Sequence, residues 1–320
     1  MSLYFNGRQR SCGILEQTTV GELSQECVNF ITRWENKGVS FSTLISSTQA
    51  AGHLSDRRWV FVDCRFVLGR TSEGNQRYLT NHIRGAVYAD LGRDLSGPVE
   101  AGVSGRHPLP DEAAFSATMS RLGIDSSIQV VAYDESSGAM AAARLWWLLR
   151  WAGHESVAVL DGGFAAWQSE GLPTRKGLET VAPRTFIGNF RPELVASGPQ
   201  VCAMIRNSGI VVDSRTSDRY RGENETVDRV AGHIPTARSI PYPENVDSGG
   251  RFLPEEELAA RFPELPSEST EDAVFYCGSG VTAAHNILAV VHVRSKFPKL
   301  YPGSWSEWIN DPSNPIAFGP

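Results

Sequence analysis

The chain reads Trp-Val-Phe-Val-Asp-Cys-Arg at residues 59–65 and, 150 residues later, Gly-Ile-Val-Val-Asp-Ser-Arg at residues 209–215. Each stretch is a mostly apolar, β-branched run that closes on Asp-x-Arg, which is typical of a buried strand ending in a polar loop. Such a strand has no polar face to turn towards water, so it belongs in a sheet covered on both faces. The two stretches therefore predict two parallel sheets.

Three further pairs of matching stretches follow in the same order. They are 81–86 (Asn-His-Ile-Arg-Gly-Ala) with 232–237 (Gly-His-Ile-Pro-Thr-Ala), 130–134 (Val-Val-Ala-Tyr-Asp) with 273–277 (Ala-Val-Phe-Tyr-Cys), and 161–167 (Asp-Gly-Gly-Phe-Ala-Ala-Trp) with 302–308 (Pro-Gly-Ser-Trp-Ser-Glu-Trp). Segments with a helical period, such as 141–150, lie between them, so each half alternates strand and helix. The sequence predicts an α/β fold of two tandem domains, each a parallel sheet flanked by helices on both faces.

The predicted domains span residues 41–183 and 184–320. Glycines and prolines interrupt residues 171–192, which show no sustained periodicity, so we place the boundary near Arg184. Residues 1–40 precede the first repeat and carry only a short amphipathic candidate at 23–34. We expect them to form a flexible N-terminal extension without a catalytic role.

The composition narrows the class of protein. With 320 residues, 41% of them hydrophobic and 21% charged, the chain fits a soluble globular protein of two domains. The net charge is −6 and no long basic run occurs, so we expect no nucleic-acid partner. No stretch approaches the ~18 apolar residues of a membrane span and no secretory signal is visible, so we expect no membrane partner and a cytoplasmic location.

The cysteines exclude two further classes. There are five, which is an odd number, and they include no Cys-x-x-Cys pair and no His/Cys cluster with the spacing of metal ligands. We therefore expect neither a disulfide framework nor a metal site, and we expect no cofactor. Cys12, Cys27, Cys64 and Cys202 lie outside any motif and are interpreted as incidental.

Cys277 opens the loop 277–282, Cys-Gly-Ser-Gly-Val-Thr, between an apolar run and a helix-like segment. Two glycines in four residues let the backbone curl so that successive N–H groups point inward, and a helix N-terminus also favours negative charge. The thiol is therefore expected to ionise readily, and the thiolate is the nucleophile of cysteine chemistry. The alternative is an inert buried cysteine. Thr282 is also a candidate helix N-cap.

These features together resemble the two-domain form of the rhodanese superfamily of sulfurtransferases, from about Phe41 to the C-terminus. The resemblance implies that Cys277 is the nucleophile and carries a persulfide during catalysis. Only the C-terminal domain carries the nucleophile in that family, and here Asp134 occupies the matching position of the first repeat. It also implies that the first domain is a scaffold forming one wall of an interdomain cleft. The loop residues Gly278, Ser279, Gly280, Val281 and Thr282 would stabilise thiolate and persulfide through their backbone.

The residues that follow Cys277 in the loop indicate which sulfur donor is used. Family members that use thiosulfate resemble Cys-Arg-Lys-Gly-Val-Thr, whereas those that use 3-mercaptopyruvate resemble the Cys-Gly-Ser-Gly-Val-Thr of residues 277–282. The resemblance thus implies transfer of sulfur from 3-mercaptopyruvate to a thiol such as thioredoxin or glutathione, or to cyanide, with release of pyruvate. Transfer from thiosulfate is the alternative, and a persulfide-relay module for a partner protein is another. A phosphatase of this fold would need an arginine where Ala283 stands.

The resemblance also implies a Ser-His-Asp relay, in which Ser279 is joined by a histidine of the first domain. By position this histidine is His107. The sequence departs from the family at the acid, because the matching position holds Gly92, flanked by Asp90 and Asp94.

Three arginines are candidates for binding the carboxylate of the donor, since a guanidinium can grip a carboxylate as a bidentate fork. Arg219 matches the first carboxylate-binding arginine of the family. A second is expected about nine residues later, where this chain has Asp228 followed by Arg229. Arg106, beside His107, is a candidate for supplying the missing charge from the other domain.

Some polar residues recur in both halves although only one half has the nucleophile, and we interpret them as structural. They are Asp63, Arg65, His82, Asp213, Arg215 and His233.

Overall fold

The computed structural model describes residues 40–135, 137–263, 265 and 273–320. Residues 41–320 form one unit that contains two large sheets. The predicted extension at residues 1–40, with Cys12 and Cys27, lies outside the described residues except for Ser40. No helix within the described ranges is both long enough and apolar enough to cross a lipid bilayer.

The first domain contains a parallel sheet of five strands. Its elements are β1 (Leu44–Ile45), α1 (Ser47–Ala51), β2 (Trp59–Asp63), α2 (Glu73–Thr80), β3 (His82–Ile83), β4 (Val87–Tyr88), α3 (Glu112–Arg121), β5 (Gln129–Tyr133), α4 (Ala142–Trp151), β6 (Val157–Leu160), α5 (Gly163–Ser169) and β7 (Thr174–Arg175). The strand order is β1-β6-β5-β2-β4, and β3 pairs with β7 in a separate antiparallel sheet.

The apolar run at 59–62 forms most of β2, which is hydrogen-bonded to β4 on one side and β5 on the other. Val60 and Val62 pack into one apolar cluster and Phe61 into another, so successive side chains enter the two faces of the sheet. A strand with both faces buried needs apolar residues throughout, which is why this run lacks polar alternation. The predicted parallel sheet with helices on both faces is confirmed.

The second domain repeats this arrangement in shorter form. Its elements are a 3-10 turn (Pro192–Leu194), α6 (Gly198–Arg206), β8 (Ile210–Asp213), α7 (Ser217–Arg221), β9 (Arg238–Ser239), a second 3-10 turn (Tyr242–Asn245), α8 (Glu255–Ala260), β10 (Ala273–Tyr276), α9 (Thr282–Arg294), β11 (Lys299–Leu300) and α10 (Ser304–Trp308). The strand order is β11-β10-β8-β9, all parallel. A parallel bridge between Val195 and Leu300 extends the edge at β11, as β1 does beside β6.

Helices α4 and α9 pack against each other and join the two domains. All ten residues of α4 are buried, as are residues 283–291 of α9. A helix that is apolar on every side must be buried on every side, and here the partner domain supplies the missing cover. The core is therefore continuous across the domains, and residues of both helices belong to one apolar cluster.

The Asp-x-Arg motif that closes β2 and β8 forms a buried ion pair in each domain. Arg65 Nη2 lies 2.7 Å from Asp63 Oδ2, and Arg215 Nη2 lies 2.6 Å from Asp213 Oδ2. Each arginine also donates to a backbone carbonyl, that of Asn81 or of Gly232. The recurring aspartate and arginine thus have the same structural partners in both domains.

The linker follows the first domain beyond the predicted boundary at Arg184. The backbone N–H groups of Asn189 and Arg191 donate to the carbonyls of Ala152 and Trp151, both at 2.9 Å. The Phe190 ring lies against Trp151 with 4.6 Å between ring centroids. Division of residues 41–320 at residue 184 stays a prediction.

Candidate active site

Cys277 lies at the end of β10, where the chain turns into α9. The Gly280 N–H donates to Cys277 Sγ at 3.2 Å, and the thiol-bearing residue is only 1% exposed. Gly280 has φ +74°, and a Cβ at this position would lie 2.6 Å from the carbonyl oxygen of Pro302. Both the backbone conformation and the space therefore require glycine for this N–H to face the sulfur.

The backbone of Cys277 is anchored from α10. Its N–H donates to Ser304 Oγ at 3.1 Å, and its carbonyl accepts from the N–H of Trp305 at 3.0 Å. The stretch 302–308, which the repeat pattern singled out, thus holds the base of the nucleophile loop. The loop is fixed on both sides of its glycine turn.

The matching loop of the first domain holds a carboxylate where the second domain holds the thiol. Asp134 is buried and accepts backbone hydrogen bonds at 3.0–3.3 Å from Gly138, Met140, Ala141 and Ala142. Burial raises the pKa of Asp134 to about 6, although these four bonds act in the opposite direction. The first loop is thus a nest of N–H groups around an acidic side chain, which is the electrostatic environment predicted for the thiolate loop.

A cleft of about 240 Å³ opens above Cys277 between the two domains. It is lined by Phe66, Leu68, Leu91, Arg106, His107 and Met140 from the first domain, and by Arg215, Thr216, Arg219, Val227, Tyr242, Cys277, Gly278, Ser279, Val281 and Thr282 from the second. Nine of the ten residues predicted for the site lie in this loop and cleft. The exception is Arg229.

Ser279 and His107 meet across the cleft, with 2.8 Å between Ser279 Oγ and His107 Nδ1. Burial, with the positive charges of Arg144 and Arg106, lowers the pKa of His107 to about 4, so the imidazole is neutral near pH 7. In the described part of the chain the hydrogen bonds of Asp90 and Asp94 go to groups other than His107. The pair therefore has no acid from either flank of Gly92.

The guanidinium groups of Arg106 and Arg219 border the nucleophile loop from opposite domains. A Cβ on Gly278 would lie 2.8 Å from Arg106 Nη2 and 3.5 Å from Arg219 Nη1. Asp228 lies between the two arginines, paired with Arg106 Nη1 and 2.9 Å from Arg219 Nη2. Glu225 also binds Arg219, accepting from its Nε at 3.0 Å.

Arg229 points away from the cleft. Its guanidinium donates to the carbonyl of Ile309 and lies 3.3 Å from Asn310 Oδ1. The sequence has Asp228 and then Arg229 at the position of the second arginine. Of these two, Asp228 reaches the guanidinium groups of Arg106 and Arg219. The backbone turn after Glu225, whose carboxylate accepts from the Asp228 N–H at 2.8 Å, fixes this choice.

Arg144 is a site residue that the sequence reasoning missed. It lies in the first turn of α4, is fully buried, and donates to the carbonyls of Gly280 at 3.1 Å and His107 at 3.2 Å. Burial lowers the pKa of Arg144 to about 10, and the nearby Cys277 acts in the opposite direction. Two arginines, Arg144 and Arg150, in an otherwise apolar helix were the signal available in the sequence, because a buried charge needs a specific reason.

The fold and the site together define a class: a tandem α/β repeat in which one of two equivalent loops carries a cysteine at the base of a cleft and the other carries an aspartate. The family model described as a rhodanese-like domain matches residues 46–170 and 199–311. The chain belongs to the rhodanese family.

Individual relatives agree with this assignment. A Pseudomonas aeruginosa protein named "Probable 3-mercaptopyruvate sulfurtransferase" is 44% identical over 284 residues, covering 88% of this chain and 100% of the relative. "Thiosulfate/3-mercaptopyruvate sulfurtransferase 2" of Arabidopsis thaliana is 33% identical, covering 76% of each chain. The solved structure of 3-mercaptopyruvate sulfurtransferase from Leishmania major is 31% identical with a TM-score of 0.74, covering 83% of this chain and 74% of that chain. The predicted pair of rhodanese-like domains is confirmed.

Proposed function

We propose that this protein moves sulfur from 3-mercaptopyruvate to a thiol acceptor through a persulfide on Cys277 and releases pyruvate. The sulfurtransferase class is confirmed by the family and its named relatives. The observation that supports the residue assignment is the place of Cys277 Sγ, 3.2 Å from the Gly280 N–H at the base of a cleft that both domains line.

In the first half of the reaction, the Cys277 thiolate attacks the sulfur of the donor. An S–S bond forms and the C–S bond breaks, so its electron pair leaves on carbon as the enolate of pyruvate, which then takes a proton. The sulfur remains as a persulfide on Cys277. In the second half, an acceptor thiolate attacks the outer sulfur, the S–S bond breaks, and Cys277 is regenerated as thiolate. This is covalent catalysis in two displacement steps.

The loop backbone supports this sequence of steps electrostatically. Its N–H groups stabilise negative charge on the inner or the outer sulfur, as preorganised donors do in an oxyanion hole. In the matching loop of the first domain the longer Asp134 side chain accepts from four N–H groups, which supports the same use of the loop around Cys277. The Ser279 hydroxyl, held by neutral His107, polarises the thiol or the carbonyl of the donor.

Two features favour 3-mercaptopyruvate over thiosulfate. The residues after Cys277 are the uncharged Gly278 and Ser279, so the loop itself brings no cation for a dianion. Arg106 and Arg219 beside Gly278 suit a carboxylate. Thiosulfate stays the second candidate, because the Arabidopsis relative is named for both donors.

We further propose a reduced thiol such as thioredoxin or glutathione as the acceptor, or cyanide, and a cytoplasmic site of action. Cys64, Cys202 and Cys277 are all free thiols. Free cysteines are typical of compartments where glutathione and thioredoxin keep thiols reduced.

Mass spectrometry after incubation with 3-mercaptopyruvate tests the proposal, since covalent sulfur transfer predicts an adduct of about 32 Da on the Cys277 peptide. Cys277→Ser should lose the adduct and turnover, whereas Cys202→Ser, which changes a partly exposed cysteine away from the loop, should keep both. Comparison of kcat/KM for the two donors decides between them. If neither 3-mercaptopyruvate nor thiosulfate gives the adduct, sulfur transfer is refuted. A higher kcat/KM for thiosulfate would refute the choice of donor.

A further inference from the structure

Asp228 lies where the family resemblance implies an arginine, and its carboxylate joins the two domains. It pairs with Arg106 from the first domain and lies 2.9 Å from Arg219 Nη2 of the second. Its side chain is only 3% exposed, and its N–H is fixed by Glu225 at 2.8 Å. A buried carboxylate between two guanidiniums is held firmly, because removal of either partner would leave a charge unpaired.

This arrangement leaves one donor group of each arginine directed at the nucleophile loop. Arg106 Nη2 and Arg219 Nη1 make no hydrogen bond to any residue that the structure describes, and both border Gly278. One carboxylate placed beside Gly278 can therefore accept from both domains at once. Arg106 Nη1 donates to Asp228, and Arg219 Nε and Nη2 donate to Glu225 and Asp228.

The formal charge of this cluster is balanced before any donor binds. Three positive charges meet three negative charges, those of Arg106, Arg215 and Arg219 with those of Asp213, Glu225 and Asp228. A monoanion placed beside Gly278 adds one negative charge, whereas a dianion adds two, next to the fixed carboxylate of Asp228. Like charges at a partly buried site repel strongly, because the effective dielectric constant there is below that of water.

We propose that Asp228 is a specificity-determining residue, which rejects dianionic sulfur donors by balancing Arg106 and Arg219 and leaves one donor group of each arginine for a single carboxylate. This inference rests on the proposed sulfur transfer. Discrimination between the donors is thereby assigned to a residue outside the loop 277–282. In the sequence, only the residues of that loop indicated the donor.

Asp228→Asn tests the inference, because it removes the charge and keeps the shape of the side chain. The ratio of kcat/KM for thiosulfate to kcat/KM for 3-mercaptopyruvate should rise on the order of tenfold, the effect of one unit charge near a partly buried anion site. Asp228→Glu should keep the wild-type ratio. Glu223→Gln also removes one negative charge, but from an exposed pair with Arg221, and should leave the ratio unchanged.

An unchanged ratio in Asp228→Asn, with the persulfide still forming on Cys277, would overturn the inference and leave the proposed function intact. Failure of wild-type protein to form the persulfide would instead overturn the proposed function. If Asp228→Asn does not fold, the wild-type protein gives an independent measurement. Methanesulfonate and sulfate are both tetrahedral but carry one and two charges, and methanesulfonate should protect Cys277 from iodoacetamide at the lower concentration. Equal or better protection by sulfate would overturn the inference.

Discussion

Replacing Arg144 by methionine should impair catalysis far more than folding. The guanidinium is fully buried and bonds the carbonyls of Gly280 and His107. It therefore holds the residue whose N–H meets Cys277 Sγ and the residue that holds Ser279. Methionine keeps an unbranched apolar stem and carries no charge, so it removes these polar contacts and leaves the rest of the helix face apolar.

Two opposing terms set the change in stability. Burial lowers the pKa of Arg144 to about 10, and at about 1.4 kcal/mol for each tenfold change this is a cost of roughly 3 kcal/mol to keeping the group charged. Loss of the guanidinium relieves that cost but leaves two carbonyls without a donor, at about 1–3 kcal/mol each. We expect a net decrease in the free energy of unfolding of no more than about 3 kcal/mol.

The expected kinetic effect is larger. Removal of one preorganised donor from a site that stabilises developing charge lowers the rate by about 100-fold or more. We therefore expect kcat/KM with 3-mercaptopyruvate to fall by about 100-fold, which corresponds to about 2.7 kcal/mol in the activation free energy. Thermal unfolding measured on the same samples separates this effect from loss of folded protein.

Arg150→Met is the matched control, since Arg150 is a mostly buried arginine on the same helix. Its partners are Glu155 at 2.5 Å, the carbonyl of Ser42 at 3.4 Å and the ring of Phe297, none of which lines the cleft. This variant should lose a comparable amount of stability and keep the wild-type kcat/KM. A wild-type kcat/KM in Arg144→Met, or an equal kinetic loss in both variants, would refute the positioning role of Arg144.

Three further predictions concern the same loops. The imidazole of His107 should titrate in NMR near pH 4 rather than near 6.5; because its folded pKa is below the unfolded value, its contribution to stability is complete above pH 6.5 and is lost as the pH falls through about 4. Gly280→Ala should lower the free energy of unfolding by about 1–3 kcal/mol and kcat by at least about tenfold, since alanine is strained at φ +74° and its Cβ meets the Pro302 carbonyl; an unchanged kcat would contradict this. Asp134→Ala should lower the free energy of unfolding by about 2–4 kcal/mol in urea titrations, because four buried N–H groups lose their acceptor; a loss below 1 kcal/mol, an amount expected of a surface change, would contradict it.

Much of the fold could be predicted from the sequence because its signals are local. The strand at 59–63 and its counterpart at 210–213 are apolar up to their closing aspartates, since both of their faces are buried. The turn at Gly280 is equally local, since a positive φ beside a backbone carbonyl admits only glycine. The place of Cys277 between a strand and a helix could be predicted because the preceding strand, the glycine turn and the following helix are adjacent in the chain.

The rest of the site depends on contacts between domains, which no local pattern encodes. Arg144 reaches Gly280 only because α4 and α9 pack together. The choice between Asp228 and Arg229 depends on one peptide's orientation, which the Glu225 carboxylate fixes. Neighbouring residues in a turn point in different directions. Spacing along the chain could therefore limit the second charged residue of the site to Asp228 or Arg229, but it could not decide between them.

The packing of α4 against α9 brings the start of each helix to the opposite loop. Arg144 of α4 bonds the Gly280 carbonyl in the nucleophile loop, and His285 of α9 lies 2.9 Å from the Ser137 carbonyl in the acidic loop. Each repeat thus donates a hydrogen bond to the loop of the other repeat, as the two subunits of a symmetric dimer would. A second domain expressed alone would lack the hydrogen bond from Arg144 to the Gly280 carbonyl, so we expect its Cys277 loop to be held less firmly than in the full chain.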